Sequence, residues 1–415
     1  LQPVVVITVT VPTESMSARA RALLRVMVLL HGVNKTGLWV VVVIDNVHRW
    51  DFPSFLKTLC TTRDNKGYKK STKGVVLKPP AEILHEWNLS HGVKPAPDAG
   101  LINDTYIVEA PKRGVLQRVN PIFKPEIHRD IEAITKHLEN AGMLTPRLVR
   151  TTKNQLCVPT NDGAWRLLTY VPGTTIHTIS NTTQAKSAAA LVGQFHRALA
   201  SLDHQFHFSR PGAHDTVAHM QKLEQTMSEH RNHPLMEKAN PIATEILRRW
   251  QAWDGLIELP NRICHGDLKI SNIRFENDQT TAKCLLDLDT LSYQTLAVEM
   301  GDAWRSWCNP AGEDRPEDAH FDIDIFETSA SAWLRHGPEL SQDEKSNLVL
   351  GVERICLELS ARFCTDAILQ CYFKEDRIRF HEPGIHNLSR AEGQLQVARS
   401  VYAQRSTAEQ IISSR

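Results

Sequence analysis

Residues 265–272 read His-Gly-Asp-Leu-Lys-Ile-Ser-Asn, and residues 285–289 read Leu-Leu-Asp-Leu-Asp. Phosphoryl transfer needs a carboxylate near the attacking hydroxyl and oxygen ligands that hold magnesium against the nucleotide phosphates. Asp267 and Asn272 lie five residues apart, so one loop can supply both groups. Short strands between the two stretches would form a hairpin and return Asp287 to the same place as a second metal ligand.

The order of these residues matches a catalytic signature. Protein kinases carry a His-x-Asp-x-x-x-x-Asn loop, followed by an aspartate after a strand. Lys269, two residues after Asp267, can neutralise the charge that develops on the transferred phosphoryl group. A His-Gly-Asp loop alone would equally suit a turn in which the aspartate caps the backbone. Because Asn272 and Asp287 follow in order, the pattern favours a catalytic site.

On these motifs, residues 81 to about 400 resemble the aminoglycoside phosphotransferase and choline kinase superfamily. The resemblance implies an α+β, two-lobed protein-kinase-like fold, with a small antiparallel-sheet N-lobe and a mostly helical C-lobe. It implies ATP as phosphoryl donor, Asp267 as catalytic base or orienter of the acceptor hydroxyl, and Asn272 and Asp287 as Mg²⁺ ligands. His265 would then be a packing residue that shapes the loop.

The N-lobe is expected to hold the nucleotide. Residues 100–108, Gly-Leu-Ile-Asn-Asp-Thr-Tyr-Ile-Val, fall where this superfamily has its phosphate-covering hairpin, so Asn103 and Thr105 are candidate nucleotide ligands. The adenine is expected at the backbone around Thr169 and Val171, because an extended strand runs into a Pro-Gly turn there. Backbone recognition leaves little side-chain signature, so the choice between ATP and GTP stays open.

A phosphate-binding lysine is expected on the strand that contains residues 115–120, Val-Leu-Gln-Arg-Val-Asn, and Arg118 stands in its place. An arginine can pair with phosphate oxygens through two parallel hydrogen bonds, so the exchange is compatible with function. Its acidic partner is expected on the following helix. Glu132 is the first candidate, and Glu126 and Asp130 are alternatives.

The acceptor is expected to be a sugar. Ile-Asn-Asp-Thr-Tyr at 102–106, with Leu-Gln-Arg-Val-Asn at 116–120, is similar to the N-acetylhexosamine 1-kinase branch of the superfamily. That resemblance implies N-acetylglucosamine or N-acetylgalactosamine as acceptor. Asp302 and Arg305 lie three residues apart at a helix start, where they can bind sugar hydroxyls or form an intrahelical ion pair. The alternative acceptors are choline, homoserine, an aminoglycoside or another amino alcohol, which would need a carboxylate cluster or an aromatic cage.

A different class of protein remains open at this point, a kinase-like binding module without catalysis. Arg118 in the lysine position favours it, whereas the presence of Asp267, Asn272 and Asp287 argues against it. A protein kinase is disfavoured because no Ala-Pro-Glu segment follows Asp287. The sequence therefore favours a small-molecule kinase over both.

Composition limits the class of partner. Charged residues make up 23% of the 415 residues and the formal net charge is +1, so no electrostatic feature points to nucleic acid or to an anionic membrane. The eight cysteines include no C-x-x-C pair, which favours a reducing compartment and a cytoplasmic location. The sequence contains no apolar run of about 18 residues that could span a bilayer. The expected partner is a small molecule, and the oligomeric state stays open.

Three segments are predicted. Residues 1–75 form an N-terminal extension in which β-branched runs at 4–11 and 38–44 read as strands. The alternative for this extension is a transit or secretion signal, since it is basic and poor in acidic residues. Residues 76–172 are the nucleotide-binding N-lobe. Residues 173–415 are the helical C-lobe, with the catalytic loop, the metal loop and the acceptor site.

Overall fold

The computed structural model describes residues 4–9, 25–29, 39–45, 78–97, 103–210 and 212–415. The chain divides into two compact units, Leu1–Val76 and Leu77–Arg415. The first unit contains a three-stranded sheet in the order β1-β3-β2. Its strands are β1 (Val4–Val9), β2 (Arg25–Leu29) and β3 (Trp39–Asp45). β3 pairs parallel to β1 and antiparallel to β2. The described residues of both predicted β-branched runs lie in strands, and residues 10, 11 and 38 of these runs lie outside the described residues.

The second unit begins with a short helix and a six-stranded antiparallel sheet in the order β4-β5-β6-β9-β7, with β8 paired to β9. The elements are α1 (Ala81–His85), β4 (Val93–Pro95), β5 (Asp104–Val108), β6 (Gly114–Val119), β7 (Leu148–Val149), β8 (Val158–Thr160) and β9 (Gly163–Thr169). Gly163 is required at the turn into β9, because its φ is +127° and a Cβ there would lie 2.1 Å from the carbonyl oxygen of Val119.

The two faces of this sheet bury different side chains. On one face, Tyr106, Leu116 and Trp165 pack in a small apolar cluster with Ile83 and Trp87. On the other face, helix α2 (Ile127–Asn140) packs its apolar stripe against the main core that includes Val119. Successive residues of β6 therefore alternate between the outer cluster and the α2 side.

The rest of the second unit is mostly helical, which confirms the predicted fold class. Its helices are α3 (Thr182–Leu199), α4 (Thr216–Glu229), α5 (Met236–Ala252), α6 (Leu296–Trp307), α7 (Ile323–His336), α8 (Gln342–Ser346), α9 (Leu348–Leu369), α10 (Ile385–Ala403) and α11 (Arg405–Ser413). Ser341 and Glu344 form the predicted capping box of α8. No helix in the described part of the chain is long and apolar enough to cross a bilayer.

Helix α9 lies at the centre of the helical core and is buried over most of its length. It crosses α6 at two glycines, where the backbones come close together. A Cβ on Gly351 would lie 2.0 Å from the carbonyl oxygen of Ala297, and one on Gly301 would lie 2.4 Å from the carbonyl oxygen of Gly351. This close contact fixes α6 against the core, and α6 in turn supports the site described below.

Short strands in the helical lobe carry the two predicted loops. β11 (Asn261–Cys264) pairs with β14 (Ser292–Thr295), and β12 (Ile273–Phe275) pairs with β10 (Thr174–Thr175) and β13 (Ala282–Leu285). The predicted hairpin after the catalytic stretch is therefore present. The stretch at 265–272 follows β11, and the stretch at 285–289 follows the hairpin.

Candidate active site

The catalytic loop brings its polar side chains together. The carboxylate of Asp267 accepts a hydrogen bond from Lys269 Nζ at 2.6 Å and another from Asn272 Nδ2 at 3.0 Å. Asn272 Nδ2 also donates to the backbone oxygen of Asp267 at 2.8 Å. Burial alone would lower the pKa of Lys269, but the negative charges of Asp267 and Asp287 raise it above its ordinary value. Lys269 therefore stays charged beside the proposed base.

Helix α6 holds the backbone of the catalytic loop, residues 265–272, through hydrogen bonds. Glu299, which is fully buried, accepts hydrogen bonds from the backbone N–H groups of His265 at 2.7 Å and Gly266 at 2.9 Å. Asp302 accepts from the N–H of Leu268 at 3.1 Å, and Trp307 Nε1 donates to the oxygen of Leu268 at 2.8 Å. These contacts fix the backbone on both sides of Asp267.

Glu299 was not identified from the sequence. A signal exists, because Glu299 and Asp302 are carboxylates three residues apart in a largely apolar helix, where an acidic residue is buried only if it has partners. His265 was predicted to be a packing residue. It is fully buried, and its Nε2 lies 2.7 Å from the oxygen of Leu286, which joins the catalytic loop to the metal loop.

Asp287 begins the metal loop in a left-handed backbone conformation, with φ +59° and ψ +58°. Non-glycine residues adopt this conformation rarely, and it occurs mostly where the surrounding structure enforces it. Burial, together with the charges of Asp289 and Asp267, raises the pKa of Asp287 to about 6. No hydrogen bond to its carboxylate from another described residue offsets this effect.

These features fit a divalent metal ion. Both hydrogens of the Asn272 amide are used by Asp267, so its Oδ1 is the atom left for a ligand. The carboxylate of Asp287 is buried beside it and is destabilised by neighbouring negative charge. A hard cation such as Mg²⁺ takes oxygen ligands of this kind, and it would stabilise the ionised form of Asp287.

A second group of residues joins the N-lobe sheet to the metal loop. Arg166, on β9, is 1% exposed and donates from two nitrogens to the carboxylate of Asp289, with NH2 at 3.1 Å from Oδ2. Asn103 Nδ2 donates to the same carboxylate at 2.8 Å. Burial would raise the pKa of Asp289, but the charge and hydrogen bonds of Arg166 lower it. The predicted nucleotide ligand Asn103 thus lies at the metal loop.

Thr105, Gln117 and Arg166 line one face of the sheet. Gln117 Oε1 accepts hydrogen bonds from Arg166 at 2.7 and 3.0 Å, and Gln117 Nε2 donates to Thr105 Oγ1 at 3.1 Å. The predicted ligand Thr105 is therefore linked through Gln117 to the arginine beside the metal loop. Residues 100–102, which begin the predicted phosphate-covering hairpin, lie outside the described residues.

Arg118 lies on the opposite face of the sheet. It stands directly across from Trp165 of the outer cluster and pairs with Asp104 and, at 2.7 Å, with Asp162. The predicted pairing of Arg118 with Glu132 is wrong. Adjacent residues of a strand point to opposite faces of the sheet. On β6, Gln117 therefore lies on the face of the site, and its neighbour Arg118 lies on the other face.

The three candidate partners of Arg118 have other contacts or none. Glu132 pairs with Arg147 at 3.5 Å and Arg150 at 3.1 Å. Asp130 accepts from His204 at 2.9 Å and from His207 at 2.8 Å. Glu126 is the residue before α2 and makes no side-chain capping bond. The nucleotide roles of Arg118 and Glu132 stay predictions that this geometry does not favour, and Arg166 is a candidate missed from the sequence.

The predicted adenine edge lies at the exit from β9. The N–H and the hydroxyl of Thr169 are both bonded to the backbone of Arg147, at 2.9 Å each. The carbonyl oxygen of Val171 accepts from Arg274 Nε at 3.2 Å. These contacts hold the connection between the sheet and the helices, and the adenine contact itself stays a prediction.

Asp302 and Arg305 form an intrahelical ion pair, which was the predicted alternative to binding sugar hydroxyls. Arg305 Nε and NH2 donate to one oxygen of Asp302 at 3.1 and 2.8 Å, and NH1 donates to Glu313 at 2.8 Å. Burial would raise the pKa of Asp302, but the charge of Arg305 lowers it. Both side chains also border the cavity beside Asp267, so contact with an acceptor remains a prediction.

A cavity of about 490 Å³ opens beside the catalytic loop. Asp267, Asp287 and Asp289 lie at one part of its wall, and residues of α4, α6, α9, the loop before α4 and the segment after α9 also line it. Three residues of the wall have a buried polar atom without a hydrogen-bond partner among the described residues: His219 Nε2, Gln294 Oε1 and Thr365 Oγ1.

Comparison with known proteins agrees with this geometry. The model of the family described as "Phosphotransferase enzyme family" matches residues 94–334, more than half of the chain, and the chain belongs to this family. It is an ATP-dependent phosphotransferase that uses an alcohol group as acceptor.

Solved structures with the same fold have low sequence identity to this chain. An aminoglycoside phosphotransferase from Alicyclobacillus acidocaldarius is 14% identical with a TM-score of 0.54, and the match covers 83% of this chain and 99% of that one. A microcompartment-associated aminopropanol kinase is 14% identical with a TM-score of 0.54, over 79% and 97%. An amicoumacin kinase in complex with AMP-PNP, Ca²⁺ and Ami is 12% identical with a TM-score of 0.50, over 74% of this chain and 89% of that one. At such identities the likeness shows the fold alone.

Proposed function

We propose that this enzyme transfers the γ-phosphoryl group of magnesium-ATP to a hydroxyl group of a sugar, with an N-acetylhexosamine as the first candidate. The observation that carries the proposal is the cavity of about 490 Å³ beside Asp267, whose wall includes polar side chains such as Gln294 and Thr365. Hydroxyl groups both donate and accept hydrogen bonds, so a polyhydroxylated molecule suits a wall with polar side chains. The sequence resemblance to N-acetylhexosamine kinases supports the same class.

In this proposal Asp267 binds and orients the acceptor hydroxyl and receives its proton as the new oxygen–phosphorus bond forms. The bond from the γ-phosphorus to the leaving oxygen of ADP breaks in the same displacement. Lys269 holds the Asp267 carboxylate and offsets negative charge near the transferred group. Asn272 Oδ1 and Asp287 would hold the Mg²⁺, which when bound would offset the negative charge of the nucleotide phosphates.

The phosphate-binding cation is assigned in the proposal to Arg166. It lies on the sheet face that carries Gln117 and Thr105, and its guanidinium already reaches the metal loop at Asp289. A guanidinium has five N–H donors, and Gln117 and Asp289 accept four of them, which leaves one N–H of NH1 for a phosphate oxygen. Asn103 beside it supports the same location for the phosphates.

An aminated acceptor is less well supported by the cavity. A cationic substrate needs carboxylates that are not already neutralised. Asp302 is paired with Arg305, and Asp366 accepts hydrogen bonds from the backbone N–H groups of three residues, 371–373. The cavity wall instead contains Arg210, Lys222 and other basic side chains. This distribution of charge favours a neutral or anionic acceptor.

The test is an ADP-release assay with magnesium-ATP across N-acetylhexosamines, other sugars, choline, homoserine, aminopropanol and aminoglycosides, with mass spectrometry of the products. We expect turnover on a sugar and a mass increase of one phosphate. Efficient phosphorylation of an amino alcohol, with no turnover on any sugar, would contradict the proposal and assign the enzyme to the amino-alcohol kinases.

We also propose that the protein works in the cytoplasm. Seven cysteines of the described chain are free, and five of them are buried. Burial raises the pKa of the Cys284, Cys356 and Cys364 thiols to about 12, so these thiols are inert packing groups. Microscopy of a tagged full-length protein that found it outside the cytoplasm would contradict this location.

A further inference from the structure

Three basic side chains line the cavity away from the catalytic carboxylates: Arg210 in the loop before α4, Lys222 on α4 and Arg362 on α9. We call these three residues the basic wall. Tyr372, just after α9, lies between its two arginines. The Arg210 guanidinium is 5.5 Å from the centre of the Tyr372 ring, and the Arg362 guanidinium is 5.8 Å from it. Two positive charges are therefore held around one ring at the cavity.

Little negative charge in the protein offsets this wall. Arg210 donates to the neutral hydroxyl of Tyr372. Lys222 makes no hydrogen bond or ion pair with a described residue. Arg362 meets Glu358 only at 3.5 Å.

Glu358 cannot neutralise Arg362 fully, because the Glu358 carboxylate also interacts with Thr216 and His214. Its carboxylate accepts from Thr216 Oγ1 at 2.6 Å and lies 3.1 Å from His214 Nδ1. Burial would lower the pKa of His214, but the charge of Glu358 and the hydrogen bond to it raise that pKa. Glu358 thus divides its negative charge between His214 and Arg362, so it offsets the charge of Arg362 only in part.

Four of the five carboxylates that border the cavity have partners, and the fifth, Asp287, is the proposed metal ligand. Asp267 binds Lys269, Asp289 binds Arg166 and Asp302 binds Arg305. Asp366 is bonded to backbone N–H groups and to Asn387 Nδ2 at 3.1 Å. The unoffset positive charge of the basic wall therefore faces the space beside the site of transfer, and such a charge attracts an anion.

We propose that the basic wall binds an anionic group of the acceptor, a carboxylate or a phosphate monoester, while the hydroxyl of the same molecule lies at Asp267. The proposal rests on the proposed sugar kinase function and narrows its substrate to acidic sugars. Arginine suits both anions, because its planar fork matches two oxygens at once.

The experiment compares kcat/KM for matched pairs that differ in the anion alone. One pair is glucose and glucuronic acid, which tests a carboxylate. The other is N-acetylglucosamine and N-acetylglucosamine 6-phosphate, which tests a phosphate monoester. We expect the anionic member of at least one pair to have the higher kcat/KM, by about tenfold, the factor of one charge-assisted hydrogen bond. Raising the salt concentration from about 50 to about 500 mM should reduce this advantage, because salt screens the attraction.

Two variants locate the effect. Arg362→Gln and Lys222→Gln should each lower the ratio of kcat/KM between the anionic and the neutral member by about threefold or more. Lys222 is exposed, so its variant is expected to fold normally. The matched control is Lys186→Gln, an exposed lysine on α3 that does not line the cavity, and it should leave the ratio unchanged.

The outcomes separate the two proposals. If the neutral member of both pairs is used as well as the anionic member, or if neither variant changes the ratio, the anionic subsite is overturned and the sugar kinase function stands. If no sugar is phosphorylated, the sugar kinase function fails. Calorimetric titration with both anionic sugars then tests whether the basic wall binds an anion. Binding to the unaltered protein that is lost in the Arg362→Gln/Lys222→Gln double variant supports an anion site. No binding to the unaltered protein overturns it.

Discussion

Asp267 receives hydrogen bonds from two side chains, Lys269 and Asn272, and its backbone neighbours are tied to Glu299 and Asp302 of helix α6. A carboxylate held in this way keeps one orientation, which lowers the cost of aligning an acceptor hydroxyl. The orientation of the Asp267 carboxylate therefore depends on its hydrogen bonds with Lys269 and Asn272 and on the contacts of the loop with helix α6.

Replacement of the proposed base tests this directly. Asp267→Asn keeps the shape of the side chain but removes the proton acceptor, so we expect kcat to fall about 100-fold or more. The KM for ATP should change little, since the proposed metal ligands Asn272 and Asp287 remain. Steady-state kinetics measure both values. Asp203→Asn, at an exposed carboxylate that does not line the cavity, is the control and should behave as the unaltered enzyme.

The assignment of the phosphate-binding cation is tested by two charge-conserving variants. Arg166→Lys loses the two-nitrogen contact with Asp289, so we expect the KM for ATP to rise by about tenfold. Arg118→Lys changes a pair on the far face of the sheet and should alter that KM less than about twofold. Melting temperatures check that both variants fold. A larger effect at Arg118 than at Arg166 would restore the arginine predicted from the sequence.

At the scale of elements, the sequence was informative wherever the signal is local. The order Asp267, Asn272 and Asp287, with a hairpin between them, predicted the two loops of the site because the strands on either side are short and regular. The capping box at Ser341 was equally local. The contact of Arg166 with Asp289 could not be predicted, because the two residues lie 123 residues apart in sequence. The sheet face on which Arg118 lies could not be predicted either, because a shift of one residue along a strand reverses the face.

The crossing of α6 and α9 depends on glycine. In Gly351→Ala the added Cβ would meet the carbonyl oxygen of Ala297 at 2.0 Å, so the helices must separate. We expect the free energy of unfolding to fall by about 1–3 kcal/mol, measured by denaturant titration. Because α6 supports the catalytic loop, kcat should fall as well. Lys186→Ala on the exposed side of α3 is the control, and its stability should change by less than about 0.5 kcal/mol.

Glu358 on α9 and His214 in the segment before α4 form a pair that makes the free energy of unfolding depend on pH. Burial would raise the pKa of Glu358, but the charge of His214 and its hydrogen bond bring it to about 2. A lowered carboxyl pKa adds stability that is lost as the pH falls from about 4.5 to about 2. The raised pKa of His214 adds stability that is present below about 6.5 and is lost as the pH rises through the folded value.

The two contributions overlap between about pH 4.5 and about pH 6.5. We therefore expect the stability difference between the unaltered protein and Glu358→Gln to be largest near pH 5.5 and to shrink on both sides. Thermal unfolding across a pH series measures it. A difference that stays constant from pH 3 to pH 9 would show that the pair contributes packing rather than charge.

At the scale of the whole molecule, the six-stranded sheet and the helical core meet at the metal loop, where Arg166 and Asn103 contact Asp289. Family membership and fold agree on an ATP-dependent phosphotransferase, and the cavity beside Asp267 carries the proposed choice of acceptor. The three-stranded sheet of Leu1–Val76 has no part in this account.

In the proposed reaction, the Asp267 site joins the γ-phosphoryl group of ATP to an acceptor hydroxyl. Phosphorus NMR of the enzyme with magnesium-ATP and a turned-over sugar measures this directly. We expect a new phosphate-ester signal that grows as the γ-phosphate signal of ATP declines and that is absent with Asp267→Asn. Release of inorganic phosphate without an ester, or an ester formed as fast by Asp267→Asn, would contradict the account.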